Sequence, residues 1–250
     1  MRKERQSMVP KRIGVLVPST NSSVEADFQR LLTGKVTAHS ERLHIPDGTM
    51  TVQFLDQMNS GLAEKIDLVA AARVDAIAYA CTSGSFYRGP EWDEAVRELV
   101  QQRAGVPCVT TSTAVTQAFK ALGVTSISVV TPYPEWTNQK LAEYYRAQGL
   151  DIKAVHGDSR AAAQGHRSVN DQEPGDIARF ALEHFNGGAQ ALFCSCTAWR
   201  ALECIPALEQ ELGVPVVTSN QATIWAVLKT INMLDAAVPV GRLFNVCAAH

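Results

Sequence analysis

The chain has 250 residues, 46% hydrophobic and 19% charged, the balance of a globular protein with one large domain or two small ones. A net charge of −2 supplies no field for holding nucleic acid or an anionic membrane, and no run of about 18 apolar residues offers a membrane span. The N-terminus lacks the apolar core of a secretion signal, which predicts a cytoplasmic protein with its six cysteines reduced.

In chain order, residues 1–11 carry the only basic cluster and read as a solvated tail. Arg12–Val17 is a strand, and Ser22 with Glu25 predicts a capping box before the helix "VEADFQRLL". A strand follows at Val74–Ala80, then Pro90 and Glu91 open the helix "EWDEAVRELVQQRA". Further strands fall at Cys108–Thr110 and Ser126–Val130, and Gly149 closes a helix over Trp136–Gln148. Asp151–Glu173 is polar, aperiodic and long for a connection, so it reads as a mobile lid. Pro174 opens "GDIARFALEHF", ended by Asn186-Gly187-Gly188, and the last strands are Ala189–Ser195 and Val214–Val217. Short apolar runs alternating with longer amphipathic ones predict α/β units on parallel sheets.

The two halves repeat each other. "RIGVLVPSTN" matches "SISVVTPYPE", "VDAIAYACTSG" matches "AQALFCSCTAW", and "GVPCVTTSTAVTQAFKAL" matches "GVPVVTSNQATIWAVLKTI". Pro18 with Pro132, Cys81 with Cys196, and Gly105 with Gly213 thus recur in one order at offsets of roughly 110 residues. The expected fold is two similar lobes related by a pseudo-two-fold axis: residues 12–119 mainly the first, 120–250 mainly the second, with C-terminal helices able to cross between them.

Ligands of open α/β sheets sit beyond the carboxyl ends of the strands, where Cys81 and Cys196 both fall. A cysteine ending an apolar strand is ordinarily a small core residue, but equivalence under the duplication argues for chemistry. Helix N-termini and free N–H groups beside such thiols are expected to lower their pKa toward neutrality. Two thiols facing one substrate can divide labour, one as thiolate and one as acid, which suits racemisation or cis–trans isomerisation without a cofactor. Cys108, Cys194, Cys204 and Cys247 have no counterpart in the other half and read as core or surface thiols. One C-x-C and six histidines without ligand spacing give no metal site.

Hydroxyl-rich loops follow the strands: Pro18 and Ser19 through Ser23, Thr82, Ser83 and Ser85, Thr111 to Thr113, Thr197, and Ser219 with Asn220. They can serve as helix caps, as nests for carboxylate oxygens, or as both. Tyr133 is placed to donate a phenolic hydrogen bond into the same cleft. Dinucleotide, P-loop and serine-hydrolase elbow motifs are all missing.

On these residues the chain resembles the aspartate/glutamate/hydantoin racemase superfamily. "VPSTNSSVE" is similar to the signature of maleate cis–trans isomerases, and the cysteines in "YACTSG" and "CSCT" fit isomerases and racemases alike. "TSGSFYRG", "GVPCVTTSTAV" and "IPALEQELGVPVV" resemble arylmalonate decarboxylases, where the first cysteine position is typically glycine and only the second is used; Cys81 counts against a pure decarboxylase. The resemblance implies two Rossmann-like (flavodoxin-like) lobes with the active site between them. It implies substrate carboxylate held by Asn21 and Tyr133, with Pro18, Ser19, Thr82, Ser83 and Thr197 completing the binding shell. Cys81 would add to a double-bond carbon with Cys196 as acid–base partner.

The expected activity is a cofactor-independent isomerase of a small mono- or dicarboxylate, nearest to maleate isomerase, in a homodimer or higher homo-oligomer. An amino-acid or hydantoin-type racemase, an arylmalonate-type decarboxylase and a non-catalytic small-carboxylate sensor are the alternatives.

Overall fold

The computed structural model describes residues 9–46, 49–158, 160 and 168–246. Two four-stranded, all-parallel sheets are flanked by helices. The first contains β1 (Lys11–Pro18), β2 (Val36–Leu43), β3 (Ala76–Tyr79) and β4 (Cys108–Thr110) in the order β2-β1-β3-β4. The second contains β5 (Ser126–Thr131), β6 (Asp151–Gly157), β7 (Ala191–Cys194) and β8 (Val216–Thr218) in the order β6-β5-β7-β8. The same strand order twice is the three-dimensional form of the sequence duplication, and all six strands expected from apolar runs are present.

β2 and β6 show no apolar run in the sequence because most of their residues are not buried. β2 places only Val36 and Leu43 in the core and β6 only Ile152, so neither shows the continuous apolar run of a central parallel strand. β6 also corrects the lid expectation for its own residues: Asp151–Gly157 pairs along β5. Residues 159 and 161–167 of that segment lie outside the described residues, and Ser168–Asp171 is a 3₁₀ turn.

The repeated Gly-Val-Pro has a conformational cause. Gly105 (φ 68°) ends the Pro90–Ala104 helix and Gly213 (φ 72°) ends the Ile205–Leu212 helix, both left-handed, where a Cβ is strained. Gly149 (φ 85°) plays the same part after Glu135–Ala147. The Pro174–His184 helix ends differently from expectation, on an extended Phe185, with no left-handed residue at Asn186-Gly187-Gly188.

The Thr111–Ala121 and Ser219–Thr230 helices pack on each other between the sheets. Ser219–Thr230 is buried from Ser219 through Leu228 and opens with a capping box between Thr218 and Gln221. The chain then returns to the first sheet's side: Thr33 N–H donates to Ala236 O and Val238 N–H to Leu31 O, both at 2.8 Å. Among the described residues, no helix is long and apolar enough to cross a membrane.

Candidate active site

A cavity of about 310 Å³ opens where the carboxyl ends of the two sheets meet, and Cys81 and Cys196 both line it. Pro18, Asn21, Thr82, Ser83, Tyr133 and Thr197 line it as well, so eight of the nine residues expected at the site converge there. Ser19 does not line it: its hydroxyl accepts the Ile45 N–H at 2.9 Å and its N–H donates to Leu43 O, which ties it to the strand-end loop.

Cys81 follows β3 and is the N-cap residue of the short Thr82–Phe86 helix. Its sulfur receives the Gly84 N–H and lies 4.0 Å from Ser83 Oγ. Gly84 is required there, because a Cβ would stand 2.9 Å from both Cys81 Sγ and Met58 Cε, and against the Tyr79 hydroxyl. Tyr79 itself is fully buried and donates to Asn59 Oδ1 at 2.6 Å. Behind Cys196 the arrangement differs: the sulfur receives the Ala198 and Trp199 N–H groups and the phenol of Tyr133.

Both thiols depart from the expected acidity. Burial pushes Cys81 up to about 12, against the smaller opposing pull of the Gly84 N–H and Ser83, and it pushes Cys196 upward too. Desolvation of a thiolate in this enclosed cavity outweighs the few N–H dipoles facing it. Burial likewise holds Tyr133 well above its ordinary range, so the phenol remains a donor.

Most of the hydroxyls join the lobes rather than project into the cavity. Asn21 Nδ2 donates to Thr197 Oγ1 at 3.1 Å, Thr82 to Ser219 Oγ at 2.9 Å, and Thr223 to Thr111 at 3.0 Å. Asn21 also replaces Ser22 as the cap of Ser23–Leu31: Asn21 Oδ1 accepts the Ser23 and Val24 N–H groups, and Ser22 makes no side-chain cap. Thr111, Ser112 and Thr113 bond Tyr79 O, Ser85 and Asp93, away from the cavity.

The hydrogen-bond donors left free at the cavity are on the backbone. Among the described residues, the N–H groups of Thr20, Thr82, Ser83 and Thr197 donate to no protein acceptor, and all four residues line the cavity. Arg42 helps to present the first, because its guanidinium takes the carbonyls of Ser19 and Asn21, each at 3.0 Å, and turns that loop's carbonyls outward. No described lining residue is charged, so an anion there is held by neutral donors.

Sequence reading missed the opposite wall, made of Ile45, Met50, Phe54, Leu55, Met58 and Val169. Four of these lie in or beside the Val52–Asn59 helix, whose apolar face is indistinguishable by periodicity from one packed on a core. The Ser168–Asp171 turn joins this wall, with Asn170 taking the Ser22 N–H and donating to Thr20 O, each at 3.0 Å. Among the described residues no group of three or more His, Cys, Asp or Glu could hold a metal.

Known proteins share this architecture along nearly its whole length. The arylmalonate decarboxylase of Bordetella bronchiseptica is 27% identical over 234 residues, covering 93% of this chain and 96% of its own. The maleate isomerase of Geobacillus stearothermophilus is 24% identical over 249 residues, covering 94% and 97%. Among solved structures, a mutant Nocardia farcinica maleate cis–trans isomerase with a covalently bound succinylcysteine intermediate has the same fold, with a TM-score of 0.86 at 22% identity over 94% of this chain and 98% of that one. A family model described as arylmalonate decarboxylase matches residues 13–244, from β1 to the last helix, and the chain belongs to that family.

Proposed function

We propose that this protein is a cofactor-independent isomerase of a small carboxylate, working with two cysteine thiols in the manner of a maleate isomerase. The observation that carries the reading is the convergence of Cys81 and Cys196, from equivalent strand ends, on one cavity. Maleate isomerases are among its relatives, and one of them has been captured with a succinylcysteine.

In this reading Cys81 reacts as thiolate and Cys196 as thiol. The Cys81 sulfur forms a C–S bond at one alkene carbon, and the π electron pair moves toward the adjacent carboxylate, whose oxygens face the free N–H groups. Cys196 gives its proton to the second carbon and becomes the thiolate. The former double bond is now single and rotates. Cys196 then takes the proton back, the C–S bond breaks, and the trans alkene leaves with Cys81 again a thiolate and Cys196 again a thiol. The Tyr133 phenol supports the charge on Cys196 while it is a thiolate. With burial opposing ionisation, loss of the Cys81 proton to solvent before substrate enters is part of the cost of reaction.

The apolar wall favours a second reading, deprotonation or decarboxylation at a carbon bearing a bulky apolar substituent. Met50, Phe54, Leu55 and Met58 give such a group a dry surface that maleate does not need. Two thiols on opposite faces would then make a racemase, and one alone a decarboxylase.

Proton NMR in D₂O with maleate, aspartate, glutamate, hydantoins and aryl malonates separates these reactions. Fumarate formation supports the proposal; α-deuterium exchange or CO₂ loss without it overturns the cis–trans assignment. Binding without turnover would make the protein a carboxylate sensor. A cytoplasmic homodimer or higher homo-oligomer belongs to the same proposal, and light scattering of the purified protein reads the assembly.

A further inference from the structure

The Cys196 loop is gripped from behind by the start of one first-lobe helix. Ser23 Oγ donates to Ala198 O at 2.8 Å. Asn220 Nδ2 donates both to Thr197 O at 2.9 Å and to Asp27 Oδ2 at 2.7 Å. Ser23 and Asp27 are buried and one turn apart on the Ser23–Leu31 helix, so they share a face.

A trans peptide points its N–H opposite its C=O. Holding the Thr197 carbonyl from outside therefore aims the Ala198 N–H inward, and that N–H meets the Cys196 sulfur. Holding the Ala198 carbonyl does the same for the Trp199 N–H, which closes a turn onto Cys196 O at 3.2 Å and also faces the sulfur.

Asp27 carries a second signal. Asn220 Oδ1 is buried with no hydrogen-bond partner. A carboxylate cannot supply a donor, and of the two Asp27 oxygens Oδ2 accepts from Asn220 Nδ2 while Oδ1 lies 3.7 Å from Arg30 Nη1. Burial, resisted by Asn220 and Arg30, raises Asp27 to about 6, with Glu203 and Arg200 the other charges facing it.

We propose that Ser23 and Asp27, acting through Ala198 O and through Asn220, are positioning residues for Cys196: they fix the peptide N–H groups that face its sulfur and so set how readily that thiol yields its proton. The inference rests on Cys196 being a reacting thiol, but its test does not require turnover.

The experiment is the pH dependence of iodoacetamide alkylation in the full-length protein, with each cysteine followed by the mass of its own peptide. Ser23→Ala and Asp27→Ala should each move the Cys196 midpoint up by about one pH unit, a slowing of about tenfold below the midpoint. Cys81 should keep its midpoint, because its N–H donor is Gly84 of its own loop. Asp27→Asn should restore the wild-type midpoint, since at the alkaline pH of that midpoint its amide oxygen still accepts from Asn220 Nδ2 as the Asp27 carboxylate does. An unmoved Cys196 midpoint in folded Ser23→Ala and Asp27→Ala proteins overturns the proposal, as do equal shifts at both cysteines or failure of Asp27→Asn to restore it. If Asp27→Ala does not fold, Ser23→Ala decides, since it removes a single hydroxyl. A shifted Cys196 midpoint in a protein that turns over none of the tested carboxylates would sink the proposed function and leave this inference standing.

Discussion

Thr82 and Ser219 join the surroundings of the two cysteines through one hydroxyl. The Thr82 side chain, next to Cys81, donates to Ser219 Oγ at 2.9 Å, and the same oxygen accepts the Cys196 N–H at 3.1 Å. All of these groups but the Cys196 backbone are fully buried, so no water stands ready to replace the shared acceptor. Ser219→Ala should therefore cost about 1–3 kcal/mol in urea unfolding. It should also lower kcat more than it raises KM, because both cysteines lose their mutual register. A variant as stable and active as the parent would show that the link is incidental.

Cys81→Ser and Cys196→Ser should each lower isomerase turnover by at least ~10³-fold, since a serine hydroxyl is a far poorer nucleophile and acid at neutral pH. The double variant should lose little more than either single one, because the thiols act as a unit. If Cys81→Ser stays active while Cys196→Ser is dead, the chemistry is one-thiol chemistry of the decarboxylase kind. Substrate-panel kinetics of the three variants distinguish these outcomes.

Gly84→Ala should disturb Cys81 selectively. The added methyl meets Cys81 Sγ and Met58 Cε at 2.9 Å and crowds the buried Tyr79 hydroxyl, so sulfur or helix must shift. Overpacking of this kind costs about 1–3 kcal/mol, and turnover should fall with it. Thermal unfolding and kcat measured together check the prediction; an active, equally stable variant would mean the pocket yields without cost.

Asp27 gives a pH dependence with a definite sign. Its folded-state pKa is raised from 3.8 to about 6, so the folded protein binds the proton more tightly than the unfolded chain. The stabilisation is complete below pH 4 and is lost as pH rises through about 6, an order-of-magnitude difference of ~3 kcal/mol. Asp27→Asn keeps the amide pairing and removes the titration. Urea unfolding of wild type and Asp27→Asn should agree near pH 4 and diverge by pH 7, with the variant more stable there. Parallel curves would show that Asp27 does not titrate between the two states.

Much of this protein is legible in one dimension. The central strands announce themselves because a parallel strand covered on both faces must be apolar throughout, and Gly105 and Gly213 because a left-handed helix end favours glycine. Cys81 and Cys196 are legible because the duplication places them at equivalent strand ends. The edge strands β2 and β6 were hidden by their solvent-facing residues. The rest is decided by contacts between residues distant in sequence. Asp27 beside Asn220, Ser23 beside Ala198 and Thr82 beside Ser219 are partnerships that no spacing encodes. The apolar wall from Ile45 to Met58 reads locally like any helix packed on a core. The acidity of the thiols follows the same division: the sequence predicts both cysteines beside helix N-termini, which favour thiolates, whereas in the structure Cys81 caps a short helix, Cys196 begins a turn, and burial outweighs the donors at both sulfurs.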